Sequence, residues 1–102
     1  MTELSKIEEL IQEELTNMCI NHNQERFSSP HEAYAVTLEE VEESSEELTN
    51  VELRMKNIWL SVKEDEGVSS NYNYTKGNAM RVIQELIQVC ACCDKALRGF
   101  EK

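Results

Sequence analysis

Proline and glycine are scarce in this sequence, with one proline and three glycines among 102 residues. β-Branched runs are few and no apolar pattern alternates over the length of a strand, which argues against an all-β fold and predicts an all-α fold. No stretch has the roughly 18–20 apolar residues that cross a bilayer, and the N-terminus lacks the basic start and apolar core of a secretory signal. We therefore expect one small cytosolic (cytoplasmic) domain over residues 1–102.

Basic residues are also few. Ten lysines and arginines stand against twenty aspartates and glutamates, which gives a net charge of −10. A surface that binds nucleic acid needs clustered lysine and arginine to neutralise phosphates, so direct nucleic-acid binding is not expected. Cations or basic proteins are the expected partners.

The cysteines do not have the spacing of a zinc site. They are Cys19, Cys90, Cys92 and Cys93, and Cys-x-Cys-Cys within a helical pattern lacks the turn-separated pairs of a zinc knuckle. We expect reduced, buried thiols that pack as small hydrophobes.

Apolar residues recur at helical spacing along most of the chain. A stripe from Leu4 to Met18 predicts the first helix. Ser28, Ser29 and Pro30 give a start signal for the second, because proline is tolerated in the first turn of a helix.

The second half of the chain is predicted to contain two more helices. "TNVE", residues 49–52, has capping-box spacing, which predicts a kink or short break before a third helix ending near Glu66. The following segment is rich in glycine, serine and asparagine and predicts a loop. The last helix is expected to begin near Thr75 or Asn78 and to end before Gly99. The predicted architecture is an antiparallel four-helix bundle.

The second predicted helix has an apolar side and an acidic side. The apolar side carries Tyr34, Leu38, Val41 and Leu48, and the acidic side carries Glu32, Glu39, Glu43 and Glu46. A charged stripe of this kind is usually a solvated surface. However, like charges at i and i+4 repel, and almost no lysine or arginine is interleaved to relieve them, so a bound cation is the alternative interpretation.

The last predicted helix is apolar nearly all the way round at "ELIQVCACC", which predicts burial on most sides. Glu85 and Gln88 interrupt this run, and their burial would require polar partners. Either they share a cation with the second helix, or Glu85 pairs with Arg81 at the bundle surface. The sequence leaves both interpretations open.

The third predicted helix has two apolar sides. Val51, Met55, Ile58, Trp59 and Val62 form one side, where Trp59 is expected in the core. Leu53 and Leu60 lie on the other side. This second side is a candidate surface for a symmetric dimer.

"HEAYAVTLEEVEE" together with "ELIQVCA" resembles the MazG-like all-α nucleoside triphosphate pyrophosphohydrolases, particularly small members from phages and prophages. The resemblance covers about residues 28–98. The family pattern is Glu-Glu-x-x-Glu on one helix and Glu-x-x-Asp on a later one. Glu39, Glu40 and Glu43 match the first part and Glu85 begins the second, but Gln88 stands where the family has aspartate.

The resemblance implies a MazG-like fold, Mg²⁺ or Mn²⁺ as the cofactor, and hydrolysis of a nucleoside triphosphate to a monophosphate and pyrophosphate. The implied metal ligands are Glu39, Glu40, Glu43, Glu85 and Gln88, and Glu40 and Glu43 are the catalytic candidates. The substrate-binding candidates are Lys63, Lys76, Arg81 and Tyr74. A homodimer or a dimer of dimers is expected from the second apolar side at Leu53 and Leu60. Because Gln88 carries no charge, weaker metal binding and weak or lost turnover are expected.

Two further functions remain as alternatives. A degenerate relative would keep the fold and bind metal or nucleotide without turnover. A non-catalytic acidic helical protein would use its carboxylates to bind a basic partner. The position of the glutamates of the second helix separates these alternatives: an interior cluster with Glu85 favours the metal site, and side chains spread into water favour the interaction protein.

Overall fold

The computed structural model describes residues 3–99 and is all-helical over that range. The three helices are α1 (Glu3–Asn21), α2 (Pro30–Lys63) and α3 (Ser69–Leu97). The prediction of an all-α fold is confirmed for the described residues. None of the three helices is both long enough and apolar enough to cross a membrane.

α2 and α3 form a long antiparallel hairpin. α2 ends in a tight turn in which the amide of Glu66 donates to the carbonyl of Ser61 at 2.8 Å, and Asp65 adopts a positive φ of 54°. The helices then run side by side, with cross-contacts such as Asn71 to Ser61 and Arg54 to Asn78. This hairpin is the framework on which the candidate site is built.

The contact seam between α2 and α3 follows a heptad pattern with alternating steps of four and three residues. On α2 the seam consists of Ala33, Thr37, Glu40, Ser44, Glu47, Val51, Arg54, Ile58 and Ser61, all buried or half-buried. On α3 it consists of Asn71, Thr75, Asn78, Val82, Glu85, Val89, Cys92 and Ala96. Many of these side chains are polar, so the seam is not an ordinary apolar core.

The predicted four-helix bundle is not supported within one chain, because the expected second and third helices are a single helix. The break predicted at residues 49–52 does not occur. Thr49 donates its hydroxyl to the carbonyl of Ser45 at 3.1 Å, which is a helix-interior hydrogen bond and not a cap. The seam continues without interruption through this point, so packing along α3 favours one long helix over the local capping signal.

α3 also begins earlier than predicted, at Ser69, and includes most of the expected loop. The polar residues of this segment make helical and cross-helix hydrogen bonds. Thr75 donates to the carbonyl of Asn71 at 2.7 Å, and the Asn71 amide donates to the Ser61 hydroxyl at 3.5 Å. Contacts with α2 therefore override the low helix propensity of asparagine and glycine.

α1 packs only on the C-terminal half of α3. Ile11, Leu15 and Cys19 are buried against Ala91, with Ile87 half-buried beside them. The link to α2 is fixed by Ser29, whose hydroxyl accepts the Glu32 amide at 3.1 Å, and Pro30 occupies the first turn as predicted. All four cysteines are free thiols. Cys90 and Cys93 are exposed, whereas Cys19 and Cys92 are buried, so the prediction of buried thiols holds for two of the four.

A large apolar surface of the hairpin is uncovered. Its α2 part is the predicted apolar side without Val51 and Ile58, which lie in the seam. Trp59, expected in the core, is 59% exposed. We call this surface the open face, which consists of Tyr34, Leu38, Val41, Leu48, Met55, Trp59 and Val62 on α2 and Tyr72, Ile83, Leu86 and Leu97 on α3. On both helices, each residue of the open face directly follows a seam residue in the sequence, so it lies about 100° around the helix from the seam. Because α2 and α3 are antiparallel, this rotation places the two sets of residues on the same side of the hairpin.

Candidate metal centre and its surroundings

Three carboxylates from two helices meet at the seam. Glu40 and Glu43 come from α2 and Glu85 comes from α3, and one carboxylate oxygen of each lies within 4.8 Å of the other two. Glu40 and Glu85 are half-buried, and Glu43 is exposed. We call these three residues the acidic cluster.

The helix geometry explains why these glutamates meet. Glu40 and Glu85 are seam residues, so each points towards the opposite helix. Glu43 is one turn after Glu40 and lies on the side of the hairpin away from the open face. The antiparallel pairing of α2 with α3 then brings all three side chains to the same height along the hairpin.

The crowding of like charges changes the acidity of the cluster. Burial raises the pKa of Glu40 to about 7, and the neighbouring carboxylates of Glu43 and Glu85 add to the increase. A hydrogen bond with Glu85 likewise raises the pKa of Glu43. Two carboxylates can form such a bond only by sharing a proton, so the cluster retains a proton or attracts a cation near neutral pH.

Gln88 is the fourth polar group at the cluster. With its amide nitrogen turned towards the carboxylates, it donates to Glu85 Oε2 at 3.2 Å and to Glu40 Oε2 at 2.6 Å. A rotation of the amide by half a turn exchanges nitrogen for oxygen at the same position. Gln88 can therefore stabilise the charged carboxylates as a donor or add a neutral oxygen to them as an acceptor.

The other predicted metal ligand, Glu39, lies beside the cluster. Its side chain is exposed, and it does not belong to the group of oxygens within 4.8 Å. Its charge contributes to the raised pKa of Glu40. Among the described residues, Arg81 is not within ion-pair distance of Glu85, so Glu85 belongs to the cluster and not to the alternative surface pair.

Of the four predicted substrate-binding residues, Arg81 lies beside the acidic cluster and the other three lie further away. Arg81 is one turn before Glu85 on α3 and lines a groove beside it. Tyr74 lies further along, with the Arg54 guanidinium 4.8 Å from its ring centroid. Lys76 is exposed, and Lys63 sits 5.6 Å from the Trp59 ring, about 30 Å along α2 from Glu43 at about 1.5 Å per residue.

A pocket of about 130 Å³ lies on the other side of Glu40, towards α1. Its apolar walls include Phe27 and Val36, and its polar walls include Gln24, Glu32 and Lys95. Lys95 is only 1% exposed. The Lys95 ammonium donates to Gln24 Oε1 at 2.8 Å and lies 4.6 Å from the Phe27 ring centroid. Glu40 therefore borders both the acidic cluster and this pocket.

Sequence reasoning did not identify Arg54 or Lys95 as site residues. A signal for Arg54 was present in the sequence, because Glu40, Glu47 and Arg54 follow one another at intervals of seven and so share one side of a heptad helix. Nothing in the sequence distinguishes Lys95 from an ordinary lysine near a helix end, where a basic residue is favourable in any case.

Comparisons with protein-family models, with curated proteins and with solved structures give no match. The resemblance to MazG-like proteins therefore depends on the motif residues alone.

Proposed function

We propose that this protein is a Mg²⁺-dependent nucleoside triphosphate pyrophosphohydrolase of the MazG-like type. The observation that carries the proposal is the acidic cluster, in which Glu40, Glu43 and Glu85 bring oxygens within 4.8 Å of one another across two helices. The Gln88 amide can add a fourth oxygen. Such an all-oxygen donor set is the kind that Mg²⁺ and Mn²⁺ prefer, so the residues present fit the ion.

When bound, the ion would neutralise phosphate charge and lower the pKa of a bound water. The carboxylates of the acidic cluster and the Gln88 amide would hold the ion, with Glu39 at the rim. Glu40 is the candidate general base because it lies in the acidic cluster at a half-buried position, and burial raises its pKa to about 7 in the metal-free protein, so that about half of the carboxylate is charged at neutral pH.

The proposed reaction is hydrolysis at the α-phosphorus. The oxygen of water forms a bond to that phosphorus, the bond to the bridging oxygen of the β-phosphate breaks, and pyrophosphate leaves. Glu40 takes the proton of the attacking water at its carboxylate. The pocket at Lys95 borders Glu40 and, at about 130 Å³, would take part of the nucleoside of the substrate.

The test is a screen of nucleoside triphosphates, unmodified and modified, for pyrophosphate release with Mg²⁺ or Mn²⁺. We expect release that Glu43→Gln reduces by about a hundredfold or more, because it removes a charged ligand. The matched control is Glu46→Gln, which removes one charge from an exposed position on the same helix. If no nucleotide releases pyrophosphate, or if the two variants behave alike, the proposal is wrong.

A second candidate function is supported by the other glutamates of α2. Glu39, Glu42 and Glu46 are exposed, and they contribute to a net charge of −10. A non-catalytic protein would use them to bind a basic partner. Such binding would weaken strongly with added salt and would not depend on Mg²⁺, which separates it from the proposed hydrolase.

We also propose that the active form is a homodimer built on the open face. The chain exposes 7665 Å², whereas a monomer of 11.8 kDa typically exposes about 5,900 Å². Its radius of gyration is 17.5 Å against about 12.8 Å for a compact domain of this length. The excess area, roughly 1,700 Å² per chain, is within the range that obligate dimers bury.

A second copy is the occupant that fits this surface. Two hairpins packed face to face would bury both apolar stripes and complete a four-helix bundle from two chains. The surface suggested by the sequence, at Leu53 and Leu60, is half exposed but lies outside the open face. We expect Trp59→Glu to convert a dimer into a monomer in sedimentation experiments, while Leu60→Glu leaves the dimer intact. A monomeric parent at tens of micromolar would refute this arrangement.

A further inference from the structure

Two arginines converge in a groove of the hairpin next to the acidic cluster. Arg54 on α2 and Arg81 on α3 both line two adjoining hollows of about 420 and 300 Å³. Neither guanidinium lies within 4.0 Å of a carboxylate oxygen of residues 3–99. In a chain with twice as many acidic as basic residues, two arginines that line the same groove with no carboxylate in its walls make that groove a candidate anion site.

Arg54 is held in place through one edge of its side chain. Its Nε donates to Asn78 Oδ1 at 3.4 Å, and its guanidinium lies 4.8 Å from the centroid of the Tyr74 ring. The Asn78 amide in turn donates to Glu47 Oε2 at 3.3 Å. The two terminal nitrogens of Arg54 have no hydrogen-bond acceptor within the described part of the chain. The guanidinium is therefore held in position while both terminal nitrogens stay available to a ligand.

The remaining walls of the groove suit an anion. They include the neutral amides of Asn50, Asn57 and Asn73, and no carboxylate lines either hollow. Amide nitrogens donate hydrogen bonds, and arginine forks match the paired oxygens of phosphoryl groups. The lining of the groove therefore suits phosphoryl oxygens. It does not suit a cation, which would need carboxylate ligands.

The groove continues from the acidic cluster. Arg81 precedes Glu85 by one turn of α3, which is about 6 Å along the helix axis. Both features lie on the side of the hairpin opposite the open face, so a second copy docked there leaves them accessible. If the acidic cluster held the first phosphate of a polyphosphate chain, the second and third phosphates would reach Arg81.

We propose that Arg54 and Arg81 form a diphosphate subsite that binds the two phosphoryl groups released as pyrophosphate. The assignment of this diphosphate to a nucleotide rests on the function proposed above. Binding of a free diphosphate at the same arginines does not depend on that function. This subsite replaces the predicted contacts of Lys63 and Lys76, neither of which lines the groove.

The test is calorimetric binding of inorganic pyrophosphate and tripolyphosphate to the full chain at low salt without divalent ions. We expect Arg54→Gln and Arg81→Gln each to weaken binding by about tenfold to a hundredfold, as for the loss of a charged hydrogen-bond donor. The control is Arg26→Gln, which removes the same charge from an exposed position outside the groove. Arg81 is exposed, so its variant tests the subsite even if the half-buried Arg54 is needed for folding.

Several outcomes separate the two proposals. If the parent does not bind pyrophosphate, or if the groove variants bind it as the Arg26 variant does, the subsite is wrong whatever the enzyme assay gives. If binding depends on Arg81 but no nucleotide releases pyrophosphate, the subsite stands and the hydrolase proposal fails. If the affinity for a nucleoside triphosphate depends on Arg81 and the affinity for the monophosphate does not, the diphosphate that binds at the subsite is part of the nucleotide.

Discussion

The replacement of Glu40 by glutamine tests the acidic cluster through the pH dependence of folding. Burial raises the pKa of Glu40 to about 7, from the value of 4.5 expected for the unfolded chain. Between these pH values the native state binds more protons than the unfolded state. Wild-type stability therefore falls as the pH rises from about 4.5 to about 7, and the loss is complete above that range.

The magnitude follows from the difference between the two pKa values. About 2.5 pKa units correspond to about 3.4 kcal/mol. Glu40 is only half-buried, so solvent screening reduces this, and we expect a loss of about 1–2 kcal/mol at pH 8. Glutamine keeps the shape of the protonated side chain without a titrating proton. Glu40→Gln should therefore match the parent at pH 4.5 and be more stable by about 1–2 kcal/mol at pH 8.

The assay is urea unfolding followed by circular dichroism from pH 4.5 to pH 8, with no divalent ion present. Protomer concentration is held constant, because dimerisation would contribute to stability. Glu46→Gln removes the same charge from an exposed position and controls for general charge reduction. A stability gain that does not vary with pH, or an equal gain in the Glu46 variant, would refute the reasoning.

Three other predictions concern the same hairpin. Mg²⁺ should raise the melting temperature more than sodium chloride at matched ionic strength, and Glu43→Gln should abolish this specific part without destabilising the metal-free protein. Gln88→Asp should tighten divalent binding in calorimetry and increase any weak turnover, and the absence of divalent binding in parent and variant alike would exclude the metal site. Maleimide should label exposed Cys93 well before Cys92, because burial raises the pKa of Cys92 to about 11; equal rates would contradict this packing.

The sequence by itself determined the helical class and the residues of the acidic cluster. Scarce proline and glycine and a period near 3.6 are local properties, and they predict helices whatever the chain packs against. The motif predicted one group of five residues, Glu39, Glu40, Glu43, Glu85 and Gln88. The fold brings their side chains together except that of Glu39, which lies beside the cluster.

The number of helices and the direction in which each helix faces were decided only by the tertiary structure. A capping signal at Thr49 and a glycine- and asparagine-rich start of α3 are worth about 1 kcal/mol each, which a continuous seam between two long helices outweighs. The apolar side of α2, with Trp59, was expected to face the core, yet many residues of the seam are polar and most of the apolar side is exposed. Periodicity identifies the faces of a helix but not which neighbour covers them, and here the longest apolar face has no neighbour among the described residues.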